Sequence, residues 1–126
     1  MQTIMKVVLL IGDAGIRKII HELIQNEEQF KIIDEQSQSV SCSKIVNNLK
    51  PDLIFIDENI EPLSGMILAK KIKQNMPLIK IIFMNRDYKD SEYRNDRYPF
   101  IDLFFDQHNL FDEFEKLRDR ILVQNI

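Results

Sequence analysis

Short apolar runs that alternate with stretches of helical spacing constrain the fold of this chain most strongly. Five runs are predicted as strands: residues 7–11, 30–33, 53–56, 79–84 and 101–105. Between most of them apolar residues recur every three or four positions, as in residues 16–24, which is the spacing of one helix face. This alternation predicts an α/β fold, a doubly wound parallel five-stranded sheet with helices on both faces.

Four stretches have the apolar spacing of helices: residues 16–24, 42–49, 65–72 and 110–121. Serines before the second helix and Asn109 before the last are suitable N-caps, and Pro77 is expected to end the third. Residues 86–97 are mostly charged and lack an apolar stripe. We expect a weak, short or irregular helix there, and the least ordered part of the fold.

Length and charge exclude several classes of function. The 126 residues fit a single domain spanning 1–126, and the net charge of −3 comes from interspersed charges of both signs. No basic face is present for direct binding to nucleic acid. Cys42 is the only cysteine, which excludes an intrachain disulfide and favours the cytoplasm. No apolar run approaches the ~20 residues needed to cross a membrane.

Polar residues directly follow the predicted strands. Asp57 ends the most apolar run, Asp13 follows the first strand, Asn85 the fourth and Asp106 the fifth. The carboxyl ends of parallel strands share one edge of the sheet, which is where open α/β sheets bind ligands. Simpler interpretations stay open: Asp57 only ends its strand, Asp13 is a turn residue, and Asp106 is an N-cap.

The pattern around Asp57 resembles that of the receiver domain of bacterial two-component response regulators. It consists of Pro51-Asp52, the apolar run and Asp57, followed by Ile60, Leu63 and Gly65. The intervals from Asp13 to Asp57, Asn85 and Asp106 also suit the family. The resemblance covers residues 6–122 and implies the flavodoxin-like receiver fold and a role in two-component phosphorelay signalling.

The resemblance assigns roles to individual residues. Asp57 matches the phosphoacceptor, which receives a phosphoryl group from a sensor histidine kinase or a phosphotransfer protein. Asp13, Asp57 and the backbone carbonyl of Asn59 match positions that hold Mg²⁺. Asn85 and Asp106 match positions that contact the phosphoryl oxygens. A homodimer is also compatible with the resemblance.

Three of the family's positions depart from its pattern. Gly12 stands where a second acid is expected, Asn85 replaces a small hydroxyl residue, and Asp106 replaces a lysine. No lysine occurs between Asp90 and Glu115, so the lysine is missing in any register. These changes predict weak binding of Mg²⁺ and weakened phosphoryl chemistry, because the transferring group needs countercharge.

Three other functions compete with a phosphorylated receiver. A pseudo-receiver would keep the fold and bind proteins independently of phosphorylation. A small phosphohydrolase, the enzymatic alternative, would want an acid two residues after Asp57, where Asn59 stands, and we expect no enzyme. A nucleotide-binding module is disfavoured because residues 12–15 form neither a G-x-G-x-x-G motif nor a P-loop.

Overall fold

A computed structural model describes residues 3–85 and 98–124, and the side chains of residues 3–84 and 98–120. The five strands are β1 (Met5–Leu10), β2 (Phe30–Gln36), β3 (Leu53–Asp57), β4 (Lys80–Asn85) and β5 (Leu103–Asp106). The α-helices are α1 (Ala14–Gln25), α2 (Gly65–Asn75) and α3 (Leu110–Gln124). A π-helical segment, Lys44–Leu49, precedes β3, and a 3₁₀ turn, Gln107–Asn109, leads into α3.

All neighbouring strands are parallel, and their order is β2-β1-β3-β4-β5. The predicted doubly wound sheet is therefore confirmed. The strand order reverses between β1 and β3, so the loops after these two strands leave a crevice at the carboxyl edge.

The core has two halves, one on each face of the sheet. Alternate residues of a strand point to opposite faces, so Val7 and Leu9 pack under α1 and α3, whereas Val8 and Leu10 pack under α2 and the π-helical segment. All five residues of β3 are buried, which is the position expected for a central strand covered on both faces.

The predicted element boundaries lie within three residues of the observed ones. The second helix departs most from the prediction, because it continues as a π-helix. Lys50 caps its C-terminus with a left-handed φ of 48°. The N–H of Lys50 donates to the Ile45 carbonyl at 2.8 Å. Just before this segment, Ser41 accepts the N–H of Lys44 through its hydroxyl at 3.1 Å, so one of the serines predicted as N-caps makes a capping hydrogen bond. The predictions for residues 86–97 lie outside the described residues.

Asp52 has a structural role at the opposite edge of the sheet. Its carboxylate accepts the N–H of Lys6, its own N–H donates to the Lys6 carbonyl, and its carbonyl accepts the N–H of Lys80. The start of β3 is thus held between β1 and β4. This fixes the register of β3 and therefore the position of Asp57 at its other end.

Candidate functional site

A pocket of about 390 Å³ lies at the carboxyl edge of the sheet, where β1 and β3 end. Its lining comes from the loops after β1, β2, β3 and β5: Gly12, Asp13, Ile16, Ser37, Gln38, Asp57, Asn59, Glu61 and Gln107. The described residues of this lining include three acids and no lysine or arginine. The pocket therefore carries negative charge before any ligand enters.

Asp57 is the most buried acid of the pocket, with 3% of its surface exposed. Its Oδ1 atom accepts two hydrogen bonds, one from the Asn59 backbone N–H at 3.2 Å and one from Gln107 Nε2 at 3.2 Å. Both donors are neutral. Buried carboxylates are costly unless hydrogen-bonded, so these contacts hold the carboxylate in place without neutralising it.

The loop after β1 brings Gly12 and Asp13 to the pocket. Arg17 anchors the end of β1 by donating from Nη1 to the Ile11 carbonyl at 2.7 Å. Asp13 caps α1, with Oδ1 accepting the N–H of Ile16 at 2.9 Å, and also lines the pocket. Asp13 is therefore both a helix cap and an acid of the pocket lining, and its match to a metal-holding position stays a prediction.

Gly12 faces Asp57. A Cβ atom at Gly12 would lie 3.8 Å from Asp57 Oδ2 and 3.6 Å from the Ser37 carbonyl oxygen, which are ordinary contacts. A side chain at position 12 would thus fit and would start towards Asp57. The geometry agrees with the match of Gly12 to the position of the second acid.

The loop after β3 is held close to Asp57 from two sides. A Cβ atom at Gly65 would overlap the carbonyl oxygen of Asp57, so only glycine lets the first turn of α2 approach this strand end. On the other side, Ser39 accepts the N–H of Leu63 through its hydroxyl at 2.9 Å and donates its own N–H to the Glu61 carbonyl at 2.7 Å. This arrangement places the Asn59 N–H on Asp57.

At the end of β5, the side chain that reaches Asp57 belongs to Gln107 and not to Asp106. The Asp106 carboxylate instead caps the 3₁₀ turn, accepting the His108 N–H at 2.9 Å and the Asn109 side-chain amide at 3.2 Å. The N-cap interpretation of Asp106 therefore holds, and Gln107 is the residue at this strand end whose side chain contacts Asp57. The match of Asp106 to a phosphoryl-contact position stays a prediction. The strand ends at Asp106, one residue later than predicted, which moves the first residue beyond it to Gln107.

The sequence-predicted site residues are thus brought together in part. Asp13, Asp57 and Asn59 line one pocket, Asp106 does not line it, and the Asn85 side chain lies outside the described residues. Gln107 and Glu61 are pocket residues that the sequence did not single out. Gln107 carried no signal in the sequence, because the family's lysine position was matched to Asp106.

Mg²⁺ prefers oxygen ligands and keeps several of its waters when it binds a protein. Asp13, Asp57 and the Asn59 carbonyl offer such oxygens. Over the described part of the chain, no three acidic, histidine or cysteine side chains are grouped closely enough to hold a metal ion. The described oxygens would give Mg²⁺ two carboxylates and one backbone carbonyl, with waters completing its ligands.

The fold and the pocket define a flavodoxin-like α/β protein with a buried aspartate at its switch point. The family model described as the response regulator receiver domain matches residues 8–98. The chain therefore belongs to the response regulator receiver family and is a receiver domain of two-component signalling. Receiver domains are generally signalling modules that interact with histidine kinases or phosphotransfer proteins, and they generally bind Mg²⁺ for phosphorylation.

Two curated relatives show the level of similarity. A protein-glutamate methylesterase/protein-glutamine glutaminase of Syntrophomonas wolfei is 25% identical over 88 residues, which are 69% of this chain and 25% of that protein. The response regulator protein VraR of Staphylococcus epidermidis is 26% identical over 86 residues, 68% of this chain and 41% of that protein. The chain thus spans less than half the length of either relative.

Among solved structures, the response regulator domain of Thermotoga maritima CheB superposes with a TM-score of 0.77. It is 18% identical, and the match covers 96% of this chain and 98% of that one. At this identity the likeness shows the fold alone.

Within the described residues, no helix has the length and apolar character required to span a membrane.

Proposed function

We propose that this receiver domain accepts a phosphoryl group on Asp57 slowly or to low occupancy, because the described lining of its pocket contains no cationic side chain. The observation that carries the proposal is the set of contacts of Asp57: a buried carboxylate whose described donors are a backbone N–H and the neutral Gln107 amide. A transferring phosphoryl group carries spread negative charge, and its transfer depends on positioning and electrostatic stabilisation.

In the proposed step, a carboxylate oxygen of Asp57 forms a bond to phosphorus while the N–P bond of the donor phosphohistidine breaks. The histidine nitrogen leaves with the bonding electron pair, and Asp57 becomes an aspartyl phosphate. Because both described hydrogen bonds reach Oδ1, and Oδ2 lies towards Gly12 at the pocket, we assign Oδ2 as the attacking atom. Burial of Asp57 limits the approach of water.

Mg²⁺, when bound, would supply countercharge to the phosphoryl oxygens. Asp13, Asp57 and the Asn59 carbonyl would hold it, with waters as the remaining ligands. The absence of a carboxylate at Gly12 removes one ligand from this set. We therefore propose weak binding of Mg²⁺, which is lost when Asp57 is replaced by alanine.

The proposal also covers the setting in which the chain acts. We propose a sensor histidine kinase or a phosphotransfer protein as the phosphoryl donor, and a signalling output rather than an enzymatic one. A phosphorylation-independent pseudo-receiver is the second candidate, and the same pocket favours it because the described lining contains no cationic side chain.

Intact-mass measurement of the protein incubated with Mg²⁺ and acetyl phosphate tests the proposal. We expect partial, slow addition of one phosphoryl group to the wild type, none to Asp57→Ala, and faster addition to a Gly12→Asp, Gln107→Lys variant. Fast and complete labelling of the wild type would show an ordinary receiver. No labelling of the wild type or the double variant would favour the pseudo-receiver.

A further inference from the structure

Glu113 is a largely buried acid that the proposed phosphoryl step does not use. It lies in the first turn of α3 and is 9% exposed. An ionised carboxylate is costly to bury unless it is hydrogen-bonded. Its described partners are the Asp106 N–H, 3.2 Å from Oε2, and Lys116 Nζ, 3.3 Å from Oε1.

The bond to Asp106 is the buried one of these two contacts. Lys116 has 73% of its side chain exposed, and an exposed ion pair of this kind contributes little to stability. The N–H of Asp106, by contrast, is at the end of β5 and the hydrogen bond that it donates is buried. Loss of the Glu113 carboxylate would leave this donor unsatisfied, which is costly in a buried place.

This bond lies one residue from the group that contacts the phosphoacceptor. Glu113 holds the Asp106 backbone from α3, and the Asp106 side chain holds the His108 N–H from within the turn. Gln107, between the two, donates to Asp57 Oδ1 at 3.2 Å. The backbone on both sides of Gln107 is therefore fixed, which restricts where its side chain can point.

We propose that Glu113 is a positioning residue: by accepting the N–H of Asp106, it holds the β5–α3 turn so that Gln107 donates to Asp57. The importance of this role for signalling rests on the proposed function, because it deepens the account of the same pocket. The contact also links the pocket to α3, since a displacement of Gln107 moves the turn that Glu113 holds.

Nuclear magnetic resonance of the Gln107 side-chain amide tests the proposal without any phosphoryl group. The wild type and Asp57→Ala supply the reference positions for a made and a lost contact. In Glu113→Leu, which cannot accept a hydrogen bond, we expect the Gln107 resonances to move to the Asp57→Ala position. In Glu113→Gln, which keeps an acceptor oxygen, we expect them to stay near the wild-type position.

Lys116→Met is the matched control, because it removes the exposed ion pair and leaves the bond to Asp106. We expect wild-type Gln107 resonances in this variant. Should Glu113→Leu fail to fold, Glu113→Asp gives the same test, because its shorter side chain withdraws the carboxylate; a shift towards the Asp57→Ala position is expected. A folded Glu113→Leu or Glu113→Asp with wild-type Gln107 resonances would overturn the proposal.

Beryllofluoride binding separates this inference from the proposed function. We expect several-fold weaker binding to Glu113→Leu than to Lys116→Met. Shifted resonances with no beryllofluoride binding by any variant, wild type included, would support the positioning role and contradict the phosphoryl chemistry. Ordinary beryllofluoride binding with unshifted resonances would contradict the positioning role alone.

Discussion

Replacement of Gln107 by lysine should strengthen the binding of a phosphoryl mimic at Asp57. Gln107 Nε2 lies 3.2 Å from Asp57 Oδ1, so a lysine there would bring a positive charge to the same place. Two unit charges ~4 Å apart interact by about 4 kcal/mol at an effective dielectric of ~20. Gln107 is partly exposed, and if screening removes half of this energy, about 2 kcal/mol or a roughly 30-fold tighter complex remains.

The assay is a beryllofluoride titration in the presence of Mg²⁺, followed by fluorine magnetic resonance. Gln107→Met removes the donor without adding charge and should bind no more tightly than the wild type. Asp106→Lys adds the same charge one residue earlier, where it removes the cap of the 3₁₀ turn. It should lower the free energy of unfolding by about 1 kcal/mol and give no such gain in binding.

Two results would refute this reasoning. One is a Gln107→Lys variant that folds normally and binds beryllofluoride only as tightly as the wild type. The other is an Asp106→Lys variant that gains as much affinity as Gln107→Lys. The second result would mean that the charge acts through the general field of the pocket and not through the contact with Asp57.

Further predictions concern Gly12, Gly65 and Lys50. Gly12→Asp should bind Mg²⁺ more tightly than the wild type or Gly12→Asn in calorimetry, because its carboxylate would join those of Asp13 and Asp57; equal affinities would count against the position of Gly12. Gly65→Ala should lower the free energy of unfolding in urea by about 1–3 kcal/mol, because its methyl group overlaps the Asp57 carbonyl; a neutral effect would show that α2 shifts freely. Lys50→Gly should raise the free energy of unfolding by about 0.5–1 kcal/mol, because glycine relieves the φ of 48°; destabilisation would contradict this.

The fold could be predicted from the sequence because hydrophobic periodicity determines it. The run 53–56 has no polar residue, which only a strand covered on both faces tolerates, and the alternation with helices leaves few topologies. The π-helical segment could not be foreseen. Its apolar spacing is that of an ordinary helix, and the hydrogen bond from the Lys50 N–H to the carbonyl five residues earlier leaves no mark in that spacing.

The residues that line the pocket could be predicted only where the end of the preceding strand was predicted well, because the strand end determines which side chain points into the pocket. Asp57 is the last residue of the buried strand β3, and both it and Asp13 line the pocket. At β5 the end of the strand was predicted one residue too early, and the contact of Gln107 with Asp57 was not predicted. Successive side chains point in different directions, so a shift of a single residue exchanges a capping residue for a pocket residue.

Borohydride trapping tests the central claim most directly. The reagent reduces an aspartyl phosphate to homoserine, and peptide mapping then identifies the residue that carried the phosphoryl group. After incubation of the wild type with Mg²⁺ and acetyl phosphate, our account predicts homoserine at position 57 alone, in a minor fraction that grows in Gln107→Lys. Homoserine at another position, or none at position 57 in either protein, would contradict it.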